Sequence, residues 1–123
     1  RVIPESQLYN FQVEKSDLQN ALKRVGHLVD KKIQRIYLDI KQGTLTISSQ
    51  ETEIGIAKEE IPCRYDGEEI TIAVSFVHIE EPLKVMNTER LTFEFSGEMK
   101  AITLKPEPAE DYFHIIMPMN ITN

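Results

Sequence analysis

Tyr9, Phe11 and Val13 alternate with Asn10, Gln12 and Glu14, a period of two that predicts a half-buried strand over roughly 8–14. The period then lengthens. Leu18, Ala21, Leu22, Val25, Leu28 and Val29 recur at helical spacing and form one apolar stripe on a helix of about 16–29. Ser16-Asp17-Leu18-Gln19 has the form of a capping box at its start, with Ser16 as N-cap and Gln19 at the third helical position. Alternation returns in Ile36, Leu38 and Ile40, turns at Lys41-Gln42-Gly43, and resumes in Leu45 and Ile47. A third segment follows with Ile54, Ile56 and Ile61, and Tyr65-Asp66-Gly67-Glu68 reads as a turn.

The same order then recurs. Ile70, Ile72 and Val74 mark a strand at about 69–74, and Ser75 is a second candidate N-cap. Phe76, Ile79, Leu83 and Met86 make the stripe of a helix of about 75–87, with Pro82 inside it, where it is expected to kink the helix or delay its start. Strands are expected at Leu91–Phe95, from Met99 to Leu104 after a Ser96-Gly97-Glu98 turn, and over roughly 111–117 after a proline-rich loop. The chain therefore reads as β-α-β-β-β twice. That predicts an α+β fold with two helices packed on one side of antiparallel sheets.

The end of the last strand is unusual. Ile115 and Ile116 are followed by Met117-Pro118-Met119 and then Asn120-Ile121. Proline has no backbone donor, so Pro118 marks where the strand leaves its sheet. Methionine is a flexible apolar side chain suited to surfaces that accept varied partners, although the same pattern can simply fill a core.

Composition narrows the function. At 123 residues, 41% hydrophobic and 28% charged, the chain is expected to form a single folded domain, residues 1–123. It has neither an 18-residue apolar run nor a charged leader, so no membrane role is expected and the cytoplasm is the expected location. The net charge of −6 disfavours a simple nucleic-acid binder, but the charge is polarised. Residues 15–35 carry Lys15, Lys23, Arg24, Lys31, Lys32 and Arg35 against Asp17 and Asp30. Residues 49–70 carry seven carboxylates against Lys58 and Arg64.

Candidate chemistry is sparse. His27, His78 and His114 stand apart, with none of the spacings that converge metal ligands, so no metal and no cofactor are expected. Cys63 is the lone cysteine and is either a reactive thiol or an inert one. Glycine-rich phosphate loops and nucleophile elbows are absent. The doublets Glu59-Glu60, Glu68-Glu69 and Glu80-Glu81 look like carboxylate pairs, yet neighbours in a strand point to opposite faces. No enzymatic activity is expected.

The duplicated unit, the basic first helix, the acidic fourth strand, the opening Arg1-Val2-Ile3-Pro4 and the closing Ile115-Ile116-Met117-Pro118-Met119 together resemble the C-terminal third of the bacterial DNA polymerase III beta subunit, the beta sliding clamp. The resemblance runs the length of the chain. It implies the DNA-clamp fold, a third clamp domain whose first two companions are absent, and hence a start without methionine. It further implies a non-catalytic processivity factor, a homodimeric ring that slides on duplex DNA without reading sequence. This fragment alone would be monomeric.

The family also carries a hydrophobic pocket for linear motifs of polymerases, clamp-loader subunits and repair proteins. Its wall would here be Arg1, Val2, Ile33, Ser75, His78, Met99, Ala101, Ile115, Ile116, Met117, Pro118, Met119, Asn120 and Ile121. Three positions depart from the family pattern: His78 where an aromatic is frequent, Ser75 where asparagine is common, and Asn120 where arginine is frequent. Lys23, Arg24 and Lys84 would face DNA. The ring interface would take His27 and Leu28 together with an acidic strand at roughly 53–60, namely Glu53, Ile54, Ile56, Lys58, Glu59 and Glu60. The alternative from another class is a stand-alone peptide-binding module on a clamp-like fold with no DNA role.

Overall fold

Two antiparallel sheets and two α-helices share one hydrophobic cluster in the computed structural model, which describes residues 9–97, 99–108 and 110–121. The first unit comprises β1 (Tyr9–Glu14), α1 (Lys15–Val25), β2 (Arg35–Lys41), β3 (Thr44–Ser49) and β4 (Lys58–Pro62). The two-residue β5 (Arg64–Tyr65) follows. The second unit repeats the order as β6 (Ile70–Ser75), α2 (Phe76–Val85), β7 (Arg90–Phe95), β8 (Ile102–Glu107) and β9 (His114–Ile116).

The two units trade their first strands. β1 leaves its own unit to pair with β7, from Tyr9 opposite Phe95 to Glu14 opposite Arg90. β6 pairs in return with β2, from Arg35 opposite Ser75 to Ile40 opposite Ile70. The sheets therefore run β5-β1-β7-β8-β9 and β4-β3-β2-β6, and neither can be completed by one unit alone.

Alternation along each strand sends the apolar set inward. Phe11 and Phe93 stack with ring centroids 4.7 Å apart, and Phe95 meets Phe11 edge-on at 6.0 Å. Leu18, Ala21, Leu22 and Val25 of α1 are buried, as are their counterparts Ile79, Pro82, Leu83 and Met86 in and just after α2. Pro82 thus stands where the first unit has Ala21, and α2 runs through it to Val85 without a delayed start. The helices pack on each other. α1 lies over β3 and β4 while α2 meets β6 and β9.

Four expectations are corrected. The α-helix of the first unit ends at Val25 and continues only as a 3-10 turn over Gly26–Leu28. Its end approaches α2 so closely that a Cβ on Gly26 would lie 2.9 Å from the Phe76 ring. The capping box does not form: Glu14 is the N-cap without a side-chain bond, and the Lys15 amide donates to the Glu89 carbonyl at 2.8 Å. Gln19 instead donates to the Leu83 carbonyl at 3.3 Å, tying α1 to α2. The acidic strand begins at Lys58, because Thr52 to Gly55 closes on itself in a tight turn with Gly55 at φ +133°. The strand expected from Met99 starts at Ile102, since the Lys100 amide donates back to the Gly97 carbonyl at 3.3 Å and closes a turn first.

Gly26→Ala should cost about 1–3 kcal/mol by forcing the Phe76 ring out of its place. Ser16→Ala should change stability by only a few tenths of that, because no cap is lost. Urea denaturation of both variants checks the contrast, and a larger loss for Ser16→Ala than for Gly26→Ala would contradict it.

Candidate functional site

Three chain segments meet in a groove of about 530 Å³. Lys32, Ile33 and Gln34 come from the segment before β2, Ser75, Val77 and His78 from the start of α2, and Met117, Pro118 and Met119 from the chain after β9. Each is placed by a specific local device. Asp30 accepts the amides of Lys32 at 2.7 Å and Ile33 at 2.9 Å, an Asx-type turn that sets the first wall. Gln34 takes φ +61°, and its carbonyl receives the Phe76 amide at 2.7 Å, clasping the first wall to the second. The third wall is a crossing between sheets. β9 ends at Ile116, and the Met119 amide donates to the Ala73 carbonyl of β6 at 2.7 Å.

Pro118 therefore does more than end a strand. It lies between the last residue of one sheet and a bridge to the other. Met117 is left 58% exposed, whereas Met119 is half-buried with its backbone committed to β6. Met117 thus stands clear of the strand pairing, and Met119 does not. Tyr37 extends the tether by donating its hydroxyl to the Ile121 carbonyl at 3.0 Å.

Of the expected wall, Ile33, Ser75, His78, Met117, Pro118 and Met119 line this groove together. Ile116 does not, being buried in the core at 2% exposure. Met99, Ala101 and Ile115 lie outside the lining, Met99 in the turn before β8, Ala101 half-buried beside that strand, and Ile115 exposed on β9. Asn120 and Ile121 are exposed just beyond the bridge. Arg1 and Val2 fall outside the described residues. Lys32, Gln34 and Val77 were missed. Asp30-Lys31-Lys32-Ile33 carried a usable signal, since aspartate two and three residues before an amide is the sequence form of an Asx turn. The lining carries Lys32 and His78 and no carboxylate.

The charged candidates divide by location. Lys23 and Lys84 are exposed and occupy equivalent places on α1 and α2, one position after the buried Leu22 and Leu83. Lys84 also lies 3.8 Å from Glu80 one turn earlier. Arg24 is engaged elsewhere: its Nε donates to Oε1 of Glu59 at 2.8 Å, joining α1 to β4. Among the described residues β4 is an edge strand whose only strand neighbour is β3. Lys58 and Glu60 are exposed, while Glu59 alternates inward beneath α1. Glu53, Ile54 and Ile56 lie in the loop before β4, with Ile54 84% exposed. His27 is exposed and Leu28 half-buried in the 3-10 turn that ends the first helix.

Cys63 donates weakly to the Lys41 carbonyl at 3.7 Å, and burial pushes its thiol pKa up. The thiolate form is thus disfavoured, which favours the inert reading of this cysteine. Among the described residues no three His, Cys, Asp or Glu side chains converge, and no helix is long and apolar enough to cross a membrane.

Residues 1–120 match the family model described as DNA polymerase III beta subunit, C-terminal domain. The chain belongs to that family. It is 50% identical over 123 residues to the beta sliding clamp of Treponema pallidum, a match covering 97% of this chain and 33% of that protein. Its fold superposes on the DNA polymerase III beta subunit of Thermotoga maritima with a TM-score of 0.92 at 26% identity, covering 99% of this chain and 33% of the other. A Pseudomonas aeruginosa sliding clamp solved bound to griselimycin gives a TM-score of 0.91 at 25% identity, covering 98% and 33%. The chain thus spans about a third of the length of the relatives it matches.

The Asx turn has a pH signature. The Ile33 and Lys32 amides hold the Asp30 carboxyl below its ordinary value of 3.8. A depressed folded pKa means the turn's contribution is present above 3.8 and lost as pH falls through the lower folded value. The Lys32 and Ile33 amide NMR shifts should therefore titrate together with a midpoint under 3.8, and Asp30→Ala should abolish that transition. A midpoint at or above 3.8 would show that the turn does not organise this wall.

Proposed function

We propose that this chain is the peptide-presenting third domain of a replication processivity clamp. Within the full protein it closes a homodimeric ring around duplex DNA in the cytoplasm, contributes no catalysis, and offers the groove beside Met117 to linear motifs of polymerases and clamp-loader subunits. The observation that carries the reading is the convergence of Ile33, Ser75, His78 and Met117 to Met119 on one groove in a chain of this family. Apolar walls with a flexible methionine and few fixed polar groups suit short peptides that exchange quickly.

A sliding clamp must attract phosphates without gripping bases, so exposed lysines on helices serve better than a shaped readout surface. Lys23 and Lys84 fit that role by their equivalent placement on neighbouring helices. The acidic edge strand β4 and the exposed Ile54 and Ile56 loop are assigned to ring closure, where an unpaired strand edge accepts a partner strand.

Met117→Lys places a charge on the exposed part of the groove and should weaken binding of a polymerase-derived clamp-binding peptide at least tenfold. Fluorescence anisotropy on the full-length clamp measures this; undiminished affinity would remove the groove from the function.

The Lys23→Ala/Lys84→Ala double variant should shorten retention of the loaded ring on circular DNA and flatten its salt dependence. Equal retention at low salt would exclude these lysines from the DNA path.

A further inference from the structure

The strand exchange that builds the groove also builds a second copy of its frame. Ser75 ends β6 opposite Arg35, and Glu14 ends β1 opposite Arg90. Two residues earlier, Ala73 of β6 receives the crossing chain at Met119, and Gln12 of β1 receives it at Arg64. The clasp is repeated as well: the Phe76 amide donates to Gln34 at 2.7 Å, and the Lys15 amide to Glu89 at 2.8 Å. Residue by residue, Pro62-Cys63-Arg64 stands where the second unit has Met117-Pro118-Met119. A hollow of about 280 Å³ opens at this place, lined by Val13, Glu14, Pro62, Cys63, Arg64 and Arg90 among others.

We propose that this hollow is a second docking groove, for an extended peptide segment that carries a carboxylate beside an apolar residue. The apolar share of the recognition comes from the exposed Pro62 and the half-buried, weakly polar Cys63. The charge preference comes from the arginines. Arg90 gives its Nε to Glu14 at 3.1 Å, so that pair is internally neutral. Arg64 is exposed and forms no ion pair among the described residues, leaving one uncompensated guanidinium on the rim. A guanidinium binds a carboxylate in a two-bond fork, which a methionine at the equivalent site cannot do. The two grooves would therefore share a frame and differ in ligand. Only the class of ligand, an extended peptide, is borrowed from the role proposed for the first groove.

The test is selection of a random hexapeptide phage library on the full-length clamp carrying Met117→Lys, which disables the first groove. The proposal expects enriched peptides with Asp or Glu adjacent to an apolar residue. Synthetic versions should bind the Met117→Lys protein and lose at least tenfold in affinity when Arg64→Glu is added, with Arg64→Lys intermediate. Failure to enrich any peptide, enrichment of peptides without a carboxylate, or binding indifferent to Arg64→Glu would each overturn it. The first groove is scored separately by the polymerase-derived peptide, which should ignore Arg64→Glu and respond to Met117→Lys.

Discussion

The reciprocal exchange of first strands is the constraint on which the rest of this molecule depends. Each sheet takes its last ladder from the other unit, so neither β-α-β-β-β unit can bury its apolar face alone. The cost is a set of long-range contacts, β1 meeting β7 across most of the chain, which must form before either sheet is closed. The return is one continuous core. Phe11 of the first unit stacks on Phe93 of the second, and Ile36 and Val74 lie opposite each other in the other sheet, all at 1% exposure or less.

Function follows from what the exchange does to the chain ends of each unit. Once β1 and β6 sit in foreign sheets, their outer edges are exposed, and the chain leaving β4 or β9 crosses over to cover them. Such a crossing needs an end to the ladder, and a proline stands near it in both places: Pro62 as the last residue of β4, and Pro118 two residues after β9 ends. The broken ladder leaves a concavity between the crossing and the start of a helix. The groove thus lies where the crossing chain closes the sheet. Ile116 is fixed by burial and Met119 by its backbone bond to β6, whereas Met117 is exposed and makes neither commitment.

Much of this was legible in the residues because alternation and helical stripes are local properties. Both helices, the duplicated order, and Ser75 as the residue before α2 could be read from period alone. What escaped was set by approach between distant segments. The end of α1 depends on the Phe76 ring, 50 residues away from Gly26, and the Gln19 side chain is drawn to Leu83 rather than to its own helix start. The strand exchange itself leaves no local mark, since β1 alternates identically whichever strand it joins. The site was legible where its residues lie in one run, Met117 to Met119, and through the family pattern for Ile33, Ser75 and His78. Lys32, Gln34 and Val77 enter the groove only because the Asp30 turn and the Gln34 clasp fold them there.

The same reasoning explains why Glu59 and Glu60, adjacent and chemically identical, cannot share a role. β4 is an edge strand, and a bare edge invites pairing with any extended chain. Glu59 points under α1, where it sits opposite Ile47 and is answered by Arg24 at 2.8 Å; Glu60 points out, exposed, opposite Thr46. An inward carboxylate on an edge resists sliding of the register, because a one-residue slip would turn Glu60 into the core without a cation to meet it. The ion pair is half-exposed, so its own contribution to stability is well under about 1 kcal/mol. Its effect is on specificity: it fixes which face of β4 is turned outward, and so which charges, Lys58 and Glu60, that face carries. Arg24 is thereby an organiser of the edge before it is anything else, and Lys23, exposed and without an ion pair among the described residues, is left to carry the basic character of the helix outward.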